Sequence, residues 1–310
     1  MARPAAPPAK SPRAARPVDD GEITPERAAI RRYYEASTSR FLRIGGSGQV
    51  AAIHRGLWPE GVRDAAEAAD QINIRLAELA ERLLGRPPAR VRDLGCGVGG
   101  TLLHLASRWP GTQLDGVTLS AEQVRIAGRL IAERGQTARL RVAQGDFLAP
   151  DPGMAPADLV LAIESHVHAP SARAFLKAAL QGLAPGGLLV IVDDMLSRPE
   201  HDLTPREAAR LSTFRRGWHL GHVTDPARLV SEAQALGLEP VAQENLTQLL
   251  NLARARDIAL RAAGPLADAM GLGRWPLFAN MIGGNALTES YRAGTMRYVM
   301  AAFQRSAGVP

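Results

Sequence analysis

The stretch LAIESHVHAP, residues 161–170, runs an apolar segment into Glu164, His166 and His168, three side chains that can carry protons. Three chemistries fit such a cluster. Histidines and a carboxylate can ligate a metal, a histidine can exchange a proton near neutral pH, and the same residues can be the polar mouth of an ordinary strand. The His-x-His pair supplies too few ligands by itself; Asp193 and Asp194, which end the next long apolar run, are the residues that would complete a metal site. No metal is expected.

A second set of residues points to a ligand. VRDLGCGVGGTLLHL carries Asp93 followed by Gly95, Gly97 and Gly99. Glycines at alternate positions permit left-handed backbone and close approach, and a helix that follows them offers unpaired N–H groups. The dinucleotide fingerprint is spaced differently, with an acid about 20 residues on at the ribose. Here the next apolar run ends in Thr118, and Asp115 lies too early in it, so a nicotinamide cofactor is not expected. Cys96, inside the turn, reads as a small residue in a crowded place. A third segment, STFRRGWHLGHVTD, pairs Arg215 with Arg216, which would suit an anionic acceptor but more often marks a solvated helix face.

These residues need elements to hold them. From residue 90 short β-type runs alternate with helical ones: ARVRDLG, TQLDGVTLS, ARLRVAQGDF, ADLVLAIE and GGLLVIVDDM are strands, and the segments after the first, second and fourth read as helices. Such alternation implies a parallel sheet with helices on both faces, whose ligands bind beyond the carboxyl ends of the strands. That places the glycine turn and Glu164, His166 and His168 at one rim. LEPVAQENLT and MRYVMAAFQR add a sixth and a seventh strand. Upstream, Thr24 caps a helix with Pro25 at its first position, and a long helix over DAAEAADQINIRLAELAERLLG stops at Gly85.

The motifs, taken together, resemble the class I methyltransferases that use S-adenosylmethionine. Asp93 with Gly95, Gly97 and Gly99 matches their first motif, GDF at 145–147 their adenine motif, and LAPGGLLVIVDDM their late motif. Where most of the family has an acid, this chain has Thr118, Leu119 and Ser120 followed by Gln123, which is similar to the branch of sterol, tocopherol and cyclopropane-fatty-acid methyltransferases. The resemblance covers about residues 80–245. It implies an α/β, Rossmann-like, seven-stranded and mostly parallel sheet with helices on both faces and a helical cap. It also implies S-adenosyl-L-methionine held by Asp93, the three glycines, Thr118, Leu119, Ser120, Gln123, Asp146, Phe147 and Glu164. Catalysis is expected of Glu164 and His166, with His168 mattering less because the chain turns away at Pro170.

The domain plan that follows is a basic tail over 1–22 and a single domain over 23–310. The domain divides into a helical cap at 23–80, a core at 81–246, a helical insert at 247–291 and a last strand at 292–310. Tyr33, Tyr34, Trp58, Phe214, Trp218 and Trp275 are the aromatic candidates for a pocket. The resemblance implies methyl transfer to a small, largely apolar metabolite, and the similarity of AIESHVHAP to the stretch in sterol methyltransferases points to a terpenoid or prenyl alkene carbon among the acceptors. An O- or N-methyl acceptor of an aromatic or other natural-product kind is the alternative, and a non-catalytic scaffold that binds S-adenosylmethionine is a third reading.

Composition narrows the partners. Four of the 37 basic residues lie in the first 18, ahead of any acid, leaving 33 against 31 acidic ones, so the folded part is nearly neutral and nucleic acid is not expected. No apolar run has the length of a membrane span. The single cysteine fits a reducing, cytoplasmic setting. A small-molecule acceptor is the expected partner, with a homo-oligomer left open.

Overall fold

Residues 24–44, 54–150, 153–252 and 276–307 are described by the structure, a computed structural model. The tail at 1–22 and Trp275 lie outside them.

Five parallel strands form first: β1 (Arg90–Leu94), β2 (Gln113–Thr118), β3 (Leu140–Gln144), β4 (Ala157–Ile163) and β5 (Leu183–Leu196). The chain then adds β6 (Leu238–Asn245) and β7 (Met296–Arg305), and β7 slots antiparallel between β5 and β6. The sheet order is β3-β2-β1-β4-β5-β7-β6, the seven-stranded, mostly parallel arrangement expected. Strand order reverses between β1 and β4, so the crevice beyond their carboxyl ends is the ligand-binding position of such a sheet.

Eight described helices surround the sheet. They are α1 (Pro25–Ile44), α2 (Ala65–Leu84), α3 (Gly100–Arg108), α4 (Ala121–Glu133), α5 (Ala172–Gln181), α6 (Pro205–Trp218), α7 (Pro226–Gln234) and α8 (Pro276–Arg292). Local chemistry sets their ends. Asp64 accepts from the amides of Ala66 and Glu67 at the start of α2, and Gly85 closes it in the left-handed conformation. Thr204 and Glu207 make a reciprocal capping box on α6.

The strands are buried on both faces, and their pleat sorts side chains between two cores. Leu159, Leu161, Ile163, Val190, Val192, Tyr298 and Met300 face the first, with α2, α3, α6 and α8. Val160, Ala162, Leu189, Ile191, Val299 and Phe303 face the second, with α5 and α7. This alternation decides below which polar groups can meet.

The structure differs from the expected cap boundary and from one expected strand start. Residue 80 falls inside α2, whose Ile72, Leu76 and Leu79 sit in the first core, so α2 is a layer helix and not a cap. The strand expected to begin at Gly186 begins earlier, at Leu183, and shifts register against β4 between Ala157 and Leu159. Of the expected insert, α8 is described and packs on α6, where Gly283 lets the helix lie against the Trp218 ring.

Candidate active site

The glycine turn meets the end of β4. Gly95, Gly97 and Gly99 all have positive φ, at 88°, 56° and 81°, where L side chains are strained. At Gly95 space is the harder limit: a Cβ there would lie 2.5 Å from the Cβ of Ser165. Gly99 caps α3 without a side-chain partner for the first turn, whose N–H groups are thereby left for a ligand. Asp93, just before the turn, is buried, and burial pushes its carboxyl up to about 7.

Glu164 follows Ile163 with φ of 50°, one of two non-glycine residues with positive φ among those described. The alternation of β4 would send position 164 to the face of Val160 and Ala162. The left-handed turn re-aims it to the opposite face, where Tyr298 stands. There its Oε1 accepts from the Tyr298 hydroxyl at 2.8 Å and from the Arg55 amide at 2.8 Å. The Arg55 guanidinium lies 3.3 Å from Glu164 and 3.0 Å from Asp194, over the Tyr298 ring, and Tyr291 donates to Asp194. Burial opposes the Arg55 charge, but Asp194 and Glu164 outweigh it and hold its pKa well above normal. Burial also raises the pKa of Asp194 and of both tyrosines.

His166 belongs to the other face. It has no exposed surface, its ring meets Phe175 edge-on at 5.1 Å, and its Nε2 is 3.1 Å from Nε2 of His222. Burial and His222 drive its pKa well below the ordinary range. Asp193, also on this rear face, accepts from the amides of Asp194 and Val167. The expected partnership of Glu164 with His166 is therefore not built: the turn at Glu164 sends the two side chains to opposite faces of the sheet. Asp193 and Asp194 are likewise split by the pleat, and among the described residues no group of three or more His, Cys, Asp or Glu is placed to hold a metal.

His168 takes the position expected of His166. Its Nδ1 lies 3.3 Å from the His219 carbonyl and its Nε2 is 2.9 Å from the Tyr34 hydroxyl. The carbonyl can only accept, so Nδ1 carries the proton and Nε2 accepts from Tyr34. Burial lowers the His168 pKa to about 4, which keeps the ring neutral at pH 7.

Helix α1 covers this rim. Arg27 makes a two-pronged pair with Asp146, donates to the His168 carbonyl at 3.1 Å and stacks 4.7 Å from the Phe147 ring centre. Thr118 donates to Gln123 at 2.5 Å, Gln123 to Thr38 of α1 at 3.2 Å, and Thr38 to the Tyr34 carbonyl. The β2 turn is thus wired to α1. Ser120, fully buried, is spent capping α4 through the Gln123 amide, and Leu119 beside it is buried.

Of the aromatic candidates, Tyr33 and Tyr34 join the site: their rings meet at 5.0 Å, and Tyr33 also faces His219 at 5.5 Å. Phe214 is core packing, with Trp218 beside it. Trp58 lies near the loop that supplies Arg55, its amide bonded to the Leu249 carbonyl. The paired arginines do not face the rim: Arg215 is clamped by Glu200 at 2.7 and 2.8 Å, and Arg216 bonds to Ser212 and Thr213 of its own helix.

Arg27, Arg55, Tyr291, Tyr298 and His222 escaped the sequence reading. For Arg27 a signal existed. Arg27, Ile30, Tyr34 and Thr38 follow the helical stripe i, i+3, i+7, i+11, which marks the buried face of α1 even though three of its members are polar. The others come from segments remote in sequence, with no local pattern to mark them.

The residues at the rim fit the cofactor implied by the motifs: a turn of three positive-φ glycines, the first with no room for a side chain, an uncapped helix start, a buried acid before it and an acid at 146. Comparison with known proteins agrees. The methyltransferase domain family matches residues 93–189. A probable chloroplastic tocopherol O-methyltransferase of Oryza sativa subsp. japonica is 30% identical over 209 residues, 62% of this chain and 58% of that one. Norajmaline N-methyltransferase of Rauvolfia serpentina is 30% identical over 159 residues, 49% and 53% of the two chains. The chain thus matches these curated relatives over about half their length. Among solved structures, geranyl diphosphate C-methyltransferase from Streptomyces coelicolor A3(2) superposes with a TM-score of 0.66 at 19% identity, over 91% of this chain and 98% of that one, which shows the same fold. The match over residues 93–189 and these relatives thus agree with the resemblance to S-adenosylmethionine-dependent methyltransferases that Asp93, the glycine turn and the Thr118-Leu119-Ser120 turn carry.

Proposed function

We propose that the chain transfers the methyl group of S-adenosylmethionine to a small, largely apolar metabolite whose acceptor atom is a protic oxygen or nitrogen. The observation that carries this reading is the tautomer of His168: with Nδ1 held as a donor by the His219 carbonyl, Nε2 presents a lone pair to a hydroxyl, at present that of Tyr34. The cofactor supplies a methyl group already activated by a positive sulfur, so the chain's main task is positioning. Asp93, the glycine turn and Asp146 are the residues that would hold it. His168 takes the acceptor's O–H or N–H as a hydrogen bond and turns the atom's other lone pair outward. The acceptor's proton passes to His168 Nε2 as the methyl group arrives, and Glu164, aimed to the same rim by its left-handed backbone, supplies negative charge toward the imidazolium so formed. Tyr33 and Tyr34 cover the acceptor from α1 and exclude water.

A second reading, methyl transfer to an alkene carbon of a terpenoid, is favoured by the cation-binding group that Tyr298, Glu164 and Asp194 form, which here holds the Arg55 guanidinium and would meet a carbocation only where that side chain moves aside. Labelled S-adenosylmethionine and a panel of phenols, amines and prenyl alcohols separate the two. Label on oxygen or nitrogen supports the first reading; label on carbon with no methylation of heteroatoms overturns it. Transfer to none of the panel, with S-adenosylhomocysteine bound, would reject both acceptor classes.

A further inference from the structure

Asp146 has more partners than the adenine motif alone requires. Its Oδ1 accepts from the Leu148 amide at 2.9 Å and from Nη2 of Arg27, and its Oδ2 accepts from Nε of Arg27 at 2.7 Å. A carboxylate has about four lone-pair directions. Three are filled, and the one left is on Oδ2. Arg27 itself is almost wholly buried, sits against the Phe147 ring and reaches the carbonyl of His168. One guanidinium therefore touches the acid implied in cofactor recognition, the ring beside it and the turn that carries the proposed catalytic histidine.

We propose that Arg27 is a positioning residue for cofactor recognition. It locks the plane of the Asp146 carboxylate so that its single remaining lone pair serves the exocyclic amino group of an adenine ring, and it ties that recognition to the His168 turn through α1. The proposal rests on the reading of S-adenosylmethionine as the ligand of this rim. The planar fork is what the role needs: a bidentate Arg–carboxylate pair fixes orientation, where a lysine would supply charge alone. A plug that merely blocks the site would instead occupy every acceptor direction of Asp146, and one is left.

The test is calorimetric titration of the full chain with S-adenosyl-L-homocysteine and with S-inosyl-L-homocysteine, in which a carbonyl replaces the amino group. The parent is expected to prefer the adenosyl compound by about tenfold or more, the effect of a hydrogen bond to a charged group. Arg27→Met should weaken the adenosyl compound about tenfold, leave the inosyl compound within about threefold, and so erase the preference. Arg27→Lys, which keeps the charge and should fold even if the Met variant does not, should lose most of the preference too. A general loosening of α1 would weaken both compounds alike and keep their ratio. That result overturns the proposal, as does tighter binding of the adenosyl compound by either variant, which would make Arg27 a competitor. A parent chain that binds neither compound rejects the cofactor reading instead. Amide exchange supplies a further readout: the adenosyl compound should protect residues 164–170 in the parent and fail to do so in Arg27→Lys, and equal protection in both would overturn the link to the turn.

Discussion

Nε2 of His168 and the hydroxyl of Tyr34 stand 2.9 Å apart, although 134 residues separate them in the chain. The pair joins the turn after β4 to the helix that covers it, and Nδ1 of the same ring is held by the His219 carbonyl. His168→Gln should slow methyl transfer by roughly 10²–10⁴-fold, the loss typical of an acid–base group, with binding of S-adenosylhomocysteine unchanged. Tyr34→Phe should cost less. Steady-state rates together with calorimetry check this, and a His168 variant within a few fold of the parent rate would return the histidine to the status of a polar strand end.

His166 should behave in the opposite way. It fills space against Phe175 and partners His222 on the rear face, so His166→Ala leaves a cavity and an unpaired imidazole. A loss of about 2 kcal/mol or more of stability is expected, with turnover per folded molecule within a few fold. Thermal melts and active-site titration separate the two quantities; a stable His166→Ala protein with turnover reduced a hundredfold would show that His166 acts in catalysis.

Glu164→Gln keeps the shape of the side chain and removes its charge, leaving Arg55 opposite Asp194 alone. Turnover should fall by about two orders of magnitude. Tyr298→Phe removes one donor to Glu164 and should cost about 1 kcal/mol of stability with a smaller loss of rate. If Tyr298→Phe proves the more damaging of the two for rate, the roles assigned to the pair are reversed.

Burial raises Asp93 to about 7, so below that pH the free protein holds this carboxyl protonated. The cofactor brings positive charge, which favours the carboxylate and lowers its pKa. Binding of S-adenosylhomocysteine, which carries an ammonium, should therefore release a proton at pH 6 and tighten by up to about tenfold per pH unit until about pH 7. Calorimetry at pH 6 in two buffers of different ionisation heat measures that proton directly. The same shift has a sign for folding. The folded pKa lies above the unfolded one, so Asp93 costs stability increasingly as pH rises from about 4 through 7. Asp93→Asn should accordingly be more stable than the parent at pH 8, an advantage that shrinks toward pH 4; thermal melts at both pH values check it.

Gly95→Ala adds a Cβ where φ is 88° and Ser165 is 2.5 Å away. The backbone penalty alone is about 1–2 kcal/mol, before the clash is counted. Cofactor binding should fall with stability, because the turn must move away from the end of β4. Unaltered binding and melting temperature would mean that the turn and Ser165 are not held together as described.

The sequence by itself determined the sheet, the glycine turn and the rim where chemistry happens. Apolar runs of strand length alternating with capped helices leave a parallel sheet as the arrangement that buries both faces. Alternate glycines after Asp93 mark a turn without side chains whatever lies around it. Both are local patterns, legible along the chain. The partners at the rim were decided by tertiary structure. Periodicity along β4 cannot announce that Glu164 turns left-handed and leaves the face His166 keeps, nor that His168 meets a tyrosine from α1. Arg55 arrives from a loop held against α2 and the Leu249–Leu250 segment, while the insertion of β7 beside β5 brings Tyr298, and Tyr291 from the helix before it, to Glu164 and Asp194. Charges compensated across such distances leave no mark in spacing, because the energy that selects them exists only once burial has removed the water between them.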